Sequence, residues 1–247
     1  MSHVLPEMTS SALVLGGGGG IGSAVAERLS ALHPTVVTYV AEARRARGVA
    51  KRLAATGATV EAVRCDATTE DGVAAAFDAA ERLGPLRVVV DSVGGWDFPR
   101  LSDVTAGQID ASLALNLRSA LLVLRESARR VVDGGRVVLL SSAAVSVAPA
   151  RQVTYVAAKA GLEGAARVAA KELASRGITV NVVRPGSTDT ETLRRGTSAR
   201  ALEAMAGSNA MRRLGTPQEV ACVVAALVGP DMGWVTGQVV DATGGLC

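Results

Sequence analysis

Ser11-Ala-Leu-Val-Leu15 runs without interruption into Gly16-Gly-Gly-Gly-Gly20-Ile21-Gly22, after which Ala24, Val25, Leu29 and Leu32 recur at helical spacing. A short apolar run, a glycine turn and an amphipathic stretch read as strand, turn and helix. In such a unit Gly16 permits a tight turn, Gly20 lets backbone approach a pyrophosphate, and Gly22 lets the helix pack on the strand. The phosphates would sit at the helix N-terminus, where unpaired N–H groups point outward. A glycine run can also be a flexible linker, but linkers seldom join a Val/Leu strand to an amphipathic helix.

Outward from this unit the alternation continues. Strands are expected over residues 35–40, 58–64, 86–90, 136–140 and 178–183. Helices are expected over 43–56, 70–83 and 106–132, and from 154 to about 176. Strands separated by helices require right-handed crossovers and therefore a parallel, doubly wound sheet. The expected fold is a single-domain α/β, Rossmann-like sheet with helices on both faces, spanning 11–247 after an unpatterned arm over 1–10. Ligands bind such sheets beyond the C-terminal ends of the strands.

One of those ends leads into Ser142, Tyr155 and Lys159. The Ala-rich run around Ala157, Ala158 and Ala160 favours helix, so Tyr155 and Lys159, four residues apart, share a face. A nearby ammonium favours phenolate and lowers the tyrosine pKa toward the range where a general acid/base works best. Ser142 can donate a hydrogen bond to the same substrate oxygen. Each of these residues taken alone is equally an exposed helix or capping residue; their registration gives them weight.

Composition narrows the function. Of 247 residues 49% are hydrophobic and only 2% aromatic, so Val, Leu, Ala and Ile must build the core and no stacking surface for bases is expected. A net charge of +3, without a dense basic run, does not suggest nucleic acid as a partner. Cys65, Cys222 and Cys247 show no metal or disulfide spacing, and His3 and His33 are isolated, so no metal site is expected. No apolar run approaches the length of a membrane span. The chain reads as cytoplasmic.

Together these residues resemble the short-chain dehydrogenase/reductase family almost end to end, and its ketoacyl-reductase-like branch in particular through Ile178-Thr-Val-Asn-Val-Val-Arg-Pro-Gly186 and Arg213-Leu-Gly-Thr-Pro-Gln-Glu219. The resemblance implies hydride transfer between a nicotinamide cofactor and a ketone or secondary alcohol. Asn116, Ser142, Tyr155 and Lys159 would be the catalytic set. Cofactor residues would include Gly16, Gly20, Ile21, Gly22, Tyr39, Arg44, Asp66, Ala67, Ser92, Gly94, Pro185, Gly186, Thr188 and Thr190, with Tyr155 and Lys159. A ketoreductase of polyketide or acyl type is favoured; a sugar or other secondary-alcohol dehydrogenase, or a non-catalytic dinucleotide-binding regulator, is the alternative.

The chain departs from the family pattern at two places. Leu15 stands where the family usually has a threonine that ties down the next turn, and Asp91-Ser92-Val93-Gly94 stands for Asn-Asn-Ala-Gly. For Asp91 a surface acid and a cofactor-site acid are both open readings.

Thr38-Tyr39-Val40-Ala41 carries no acid to accept the adenosine ribose, and Arg44 and Arg45 follow, so NADP(H) is favoured over NAD(H). Small residues along the Tyr155 helix, with the family's habit of pairing such helices, imply a symmetric homotetramer, with a dimer as the alternative. Residues 187–215, polar and free of aromatics, read as a mobile lid. Its arginines Arg194, Arg195, Arg200, Arg212 and Arg213, with Arg129, Arg130 and Arg176, are either ordinary solvated charge or a means of steering an anionic, carrier-bound substrate. Otherwise Trp96, Phe98 and Val147 are the places to look for selectivity.

Overall fold

A computed structural model describes residues 10–247; apart from Ser10, the expected arm lies outside them. The first Val/Leu run forms β1 (Ser11–Leu15), buried along its whole length, and the glycine turn delivers the chain into α1 (Gly20–Ser30). The alternation then yields β2 (Thr35–Tyr39), α2 (Ala43–Ala54), β3 (Val60–Arg64), α3 (Glu70–Arg82) and β4 (Leu86–Asp91). After α4 (Ala106–Leu113) and α5 (Ser119–Arg130) come β5 (Arg136–Leu140), α6 (Ala144–Val147), α7 (Val153–Leu173) and β6 (Thr179–Pro185). The described chain closes with α8 (Glu191–Gly196), α9 (Ala199–Gly207), α10 (Pro217–Val228) and β7 (Val239–Ala242).

The strands form one seven-stranded parallel sheet in the order β3-β2-β1-β4-β5-β6-β7. Two apolar layers sandwich it. One gathers Leu13, Leu15, Phe77, Val123 and Leu162 under α3, α5 and α7; the other gathers Val14, Val25, Leu29 and Val224 under α1 and α10. Successive β1 side chains enter opposite layers, the period-two consequence of a strand covered on both faces. Each such Val or Leu contributes about 1.5–3 kcal/mol relative to exposure.

Strand order reverses between β1 and β4, where Leu15 pairs with Asp91, so the turns beginning at Gly16 and Ser92 emerge side by side. That reversal opens the crevice at the C-terminal edge of the sheet.

Two expectations about helices need correction. The stretch 106–132 is not one regular helix: a π turn over Ala114–Arg118 separates α4 from α5. The cause is Asn116, whose Nδ2 donates to Ser112 O at 3.1 Å and competes for a carbonyl of the regular helical ladder. The polar segment 187–215 is also not an extended loop, since α8 and α9 lie within it. Thr190 and Ser198 supply their N-caps, accepting from the Leu193 and Ala201 N–H groups.

Candidate active site

The glycine turn is shaped by contact. Gly16 adopts φ +73°, and a Cβ on Gly22 would stand 2.4 Å from Gly16 O and 2.6 Å from Ser92 Oγ. The tie expected to be lost at Leu15 is rebuilt from the other side: Ser92 Oγ donates to Leu15 O at 2.6 Å, and Ser92 N–H to the same oxygen at 3.0 Å. The two departures from the family pattern therefore compensate each other. No side chain caps α1, so the N–H groups of its first turn have no side-chain acceptor. That arrangement fits a dinucleotide's pyrophosphate. A Cβ on Gly20 would lie 2.6 Å from Thr190 Cγ2, so the turn also makes room for the segment after β6.

At the C-terminal end of the neighbouring strand, Tyr39 closes β2 and Arg44 is exposed on α2. Arg45 pairs with Glu191 of α8 at 3.3 Å, leaving Arg44 as the better placed of the two for a phosphate. Asp66 Oδ1 accepts from the Thr68 N–H and hydroxyl at 3.0 and 2.7 Å, which holds its carboxyl below the usual range, and Ala67 beside it is buried. Pro185 and Gly186 leave β6, and a Cβ on Gly186 would meet Thr243 Cα at 2.9 Å. Thr188 donates to Gly186 O at 2.9 Å, while the Thr190 hydroxyl is committed to capping α8.

At the catalytic end, Tyr155 and Lys159 share the buried face of α7. Lys159 does not simply lie beneath the phenol. Its Nζ donates to Leu140 O at 2.7 Å and Val93 O at 3.2 Å, tying α7 to the ends of β5 and β4. Burial draws Lys159 down to about 8, and the neighbouring Asp91 carboxylate works against that fall. The expected lowering of Tyr155 is not what the site produces. Burial pushes its phenol above the usual value, and the Ser142 hydroxyl draws it partway back. Lys159 is held toward carbonyls below, and its own charge is weakened by burial.

Asp91 proves to be no surface acid. It is 2% exposed and accepts from Val93 N–H at 3.0 Å; burial raises its pKa, opposed by Lys159 and by that N–H group. Asn116 fastens the adjoining loop, donating to Gly95 O at 2.9 Å and accepting from Gly95 N–H at 3.0 Å. Gly94 fits because a Cβ there would approach both Asn116 Oδ1 and Lys159 Nζ at 3.1 Å.

Sequence reasoning missed the brace behind Ser142. Ser141, beside it, donates to buried Glu163 at 2.7 Å. Arg184 grips Glu163 with both prongs at 2.7 and 2.6 Å and reaches Ser146 Oγ at 2.9 Å. One network thus fixes β5, α6, α7 and β6 around the serine. An acid four residues after Lys159, on the same helix face, was the available signal.

Ser142 and Tyr155 open onto a cavity of 370 Å³ that Ile21, Trp96, Phe98, Val147, Leu193 and Met205 also line. None of the described residues lining it is charged. Six of the eight arginines considered for steering are paired: Arg194 with Asp189 at 2.5 Å, Arg195 with Glu191, Arg213 with Glu219 at 2.5 Å, Arg129 with Glu126 at 3.2 Å, Arg130 with Glu81, and Arg176 with Asp133 at 2.7 Å, while Arg200 and Arg212 are exposed and meet no acid among the described residues. Paired charges project little field, so any steering of an anionic substrate would rest on Arg200 and Arg212.

A family model described as enoyl-(acyl carrier protein) reductase matches residues 17–247. The 3-oxoacyl-[acyl-carrier-protein] reductase MabA of Mycobacterium tuberculosis is 34% identical over 250 residues, covering 98% of this chain and 94% of the relative. Among solved structures, a short chain dehydrogenase from Burkholderia cenocepacia in complex with NADP aligns with TM-score 0.90 at 34% identity, covering 97% of this chain and 98% of that one. The angucycline C-6 ketoreductase LanV with bound NADP aligns with TM-score 0.89 at 30% identity, covering 96% of this chain and 95% of that one. With the family model matched over residues 17–247 and these relatives aligned over nearly the whole of both chains, this protein belongs to the short-chain dehydrogenase/reductase family.

Proposed function

We propose that the protein is an NADP(H)-dependent ketoreductase that converts a ketone to a secondary alcohol. The observation that carries this reading is the meeting of the Ser142 and Tyr155 side chains on one cavity, with Lys159 bonded beneath and the uncapped glycine turn alongside. The family model's description names an enoyl substrate, but two hydroxyls converging on one point serve a carbonyl oxygen better than a carbon–carbon double bond.

The nicotinamide cofactor, when bound, supplies the hydride. Tyr155 donates the proton to the carbonyl oxygen, and its raised pKa keeps it protonated for that step. Ser142 donates a hydrogen bond to the same oxygen and stabilises the developing alkoxide. Lys159 keeps a positive charge near the phenol below its own pKa of about 8 and offers a donor to the nicotinamide ribose. Asn116 holds the 94–95 backbone beside Lys159 and supports a water-linked route for proton return.

The turn at Gly16, Gly20, Ile21 and Gly22 would hold the pyrophosphate. Tyr39 and Arg44 would meet the phosphorylated adenosine ribose, Asp66 and Ala67 the adenine, and Ser92, Gly94, Pro185, Gly186, Thr188 and Thr190 the nicotinamide half. NADP bound by two similar structures supports the choice of cofactor. Residues 187–215, built on α8 and α9, would act as the lid.

The same reading makes the protein a cytoplasmic homotetramer. Free Cys65, Cys222 and Cys247 suit a reducing compartment, and exposed Ile109, Leu121 and Val168 on α4, α5 and α7 offer apolar surface for a second copy. Among the described residues no helix is long and apolar enough to cross a membrane.

Steady-state kinetics with both cofactors against a ketone panel tests the reading. Turnover with a kcat/KM at least about tenfold higher for NADPH is expected, about 1.4 kcal/mol; a tenfold preference for NADH would overturn the cofactor choice.

A further inference from the structure

The chain has only six aromatic residues, and three of them, Trp96, Phe98 and Tyr155, line the single cavity that holds Ser142. The others lie elsewhere: Phe77 in the core, Tyr39 at the end of β2 and Trp234 on the surface. Trp96 and Phe98 are not covered by their own chain, being 42% and 41% exposed. Apolar rings left open in a cavity have a favourable gain waiting when a ligand removes them from water.

The rings are also held in place. The Trp96 and Tyr155 ring centroids lie 6.2 Å apart at 61°, an edge-to-face arrangement. The residues on either side of Trp96 are held from three directions, Gly95 and Phe98 by their backbone and Asp97 by its side chain. Asn116 makes its two bonds to Gly95; Gln108 Nε2 donates to Asp97 Oδ2 at 3.2 Å; and Arg151 Nε donates to Phe98 O at 2.7 Å. The surface is therefore formed before any ligand arrives, which lowers the ordering cost of binding.

The lining is uncharged, so no side chain within the cavity offers a counter-charge to a phosphate or carboxylate. Leu193 and Met205 add apolar surface from the lid, and a methionine adapts to the edge of a ring. We propose that the substrate is an uncharged ketone built on a fused aromatic ring system, seated against Trp96 and Phe98 with its carbonyl at Ser142 and Tyr155. The proposal rests on the ketoreductase reading above and specifies its substrate class. It narrows the polyketide or acyl alternative to ring-shaped substrates and away from anionic, carrier-borne chains.

The full chain is assayed with NADPH on 2-tetralone, on its saturated counterpart 2-decalone, and on acetoacetyl-coenzyme A as the anionic thioester probe. The expected result is a kcat/KM for 2-tetralone at least about tenfold above both others, the size of one or two aromatic contacts. Trp96→Leu should reduce the tetralone-to-decalone ratio to within about twofold, on the same principle.

A second readout needs no turnover. Because the chain holds two tryptophans, Trp234→Phe at a 98%-exposed position leaves Trp96 as the sole indole reporter. Its fluorescence should then change saturably with the alcohol product of 2-tetralone and not with that of 2-decalone. A wild-type ratio near one, a ratio that survives Trp96→Leu, or a preference for the coenzyme A thioester overturns the proposal. A ring-specific fluorescence response without reduction of any ketone upholds the ring site and rejects the reductase reading. Absence of both response and turnover rejects the two together.

Discussion

The floor of the crevice and its rim use the same charged residue types in opposite ways. On the floor, Asp91, Lys159 and Glu163 are 2–3% exposed, and each is met by directed partners: the Val93 N–H group, the Leu140 and Val93 carbonyls, and the Arg184 fork. On the rim, Arg194, Arg195 and Arg213 find acids just as close but stand about half or more in water. Distance alone would rank the two sets together. Burial separates them, because a charge without water depends on its few partners while an exposed pair loses little when parted. Chemistry has been placed where charges are costly to move, and solubility where they are not.

The comparison can be broken most severely at Tyr155. Tyr155→Phe keeps the ring against Trp96 and removes only the transferable proton, so kcat should fall by about 10²–10⁴-fold with cofactor binding retained. A rate within a few-fold of wild type would reject the proton-donor assignment.

Next is the brace. Glu163→Ala leaves Arg184 and Ser141 without their common partner, and loss of about 3 kcal/mol of stability is expected, read as a denaturation midpoint shift. A change indistinguishable from that of a rim variant would show that burial does not separate the two regions.

Asp91→Asn keeps the shape and deletes the charge. The carboxylate helps hold the proton on Lys159, so its removal should lower the Lys159 pKa below about 8. Reduction needs Lys159 charged, and the alkaline limb of the kcat/KM profile should therefore move to lower pH. An unmoved limb would mean that Asp91 does not act on Lys159.

Smaller effects belong to the outer region. Arg44→Ala should reduce the NADPH-over-NADH ratio by about tenfold, the scale of one charged hydrogen bond to phosphate. Arg213→Ala should shift Tm by no more than about 2 °C, although Arg213 and the Thr216 cap hold the Glu219 carboxyl down to about 2. A large fall there would erase the distinction between floor and rim.

The sequence by itself determined the parts that depend on short-range periodicity and steric need. Alternating Val/Leu strands and amphipathic helices specified the doubly wound sheet, the glycine run specified a tight strand-to-helix turn, and a four-residue interval put Tyr155 and Lys159 on one helix face. Tertiary structure alone decided how charges and rings are used. Asp91 became buried because β4 is covered on both faces, the helix around Asn116 widened into a π turn because its side chain takes a backbone carbonyl, and Glu163 found Arg184 and Ser141 across β5 and β6. Arg194 and Arg213 found acids in Asp189 and Glu219, and Trp96 and Phe98 met Tyr155 from a loop more than fifty residues earlier in the chain. Local spacing fixes which side of an element a residue occupies. Dielectric environment and partner identity are set by segments distant in sequence, so they exist only once the chain has folded.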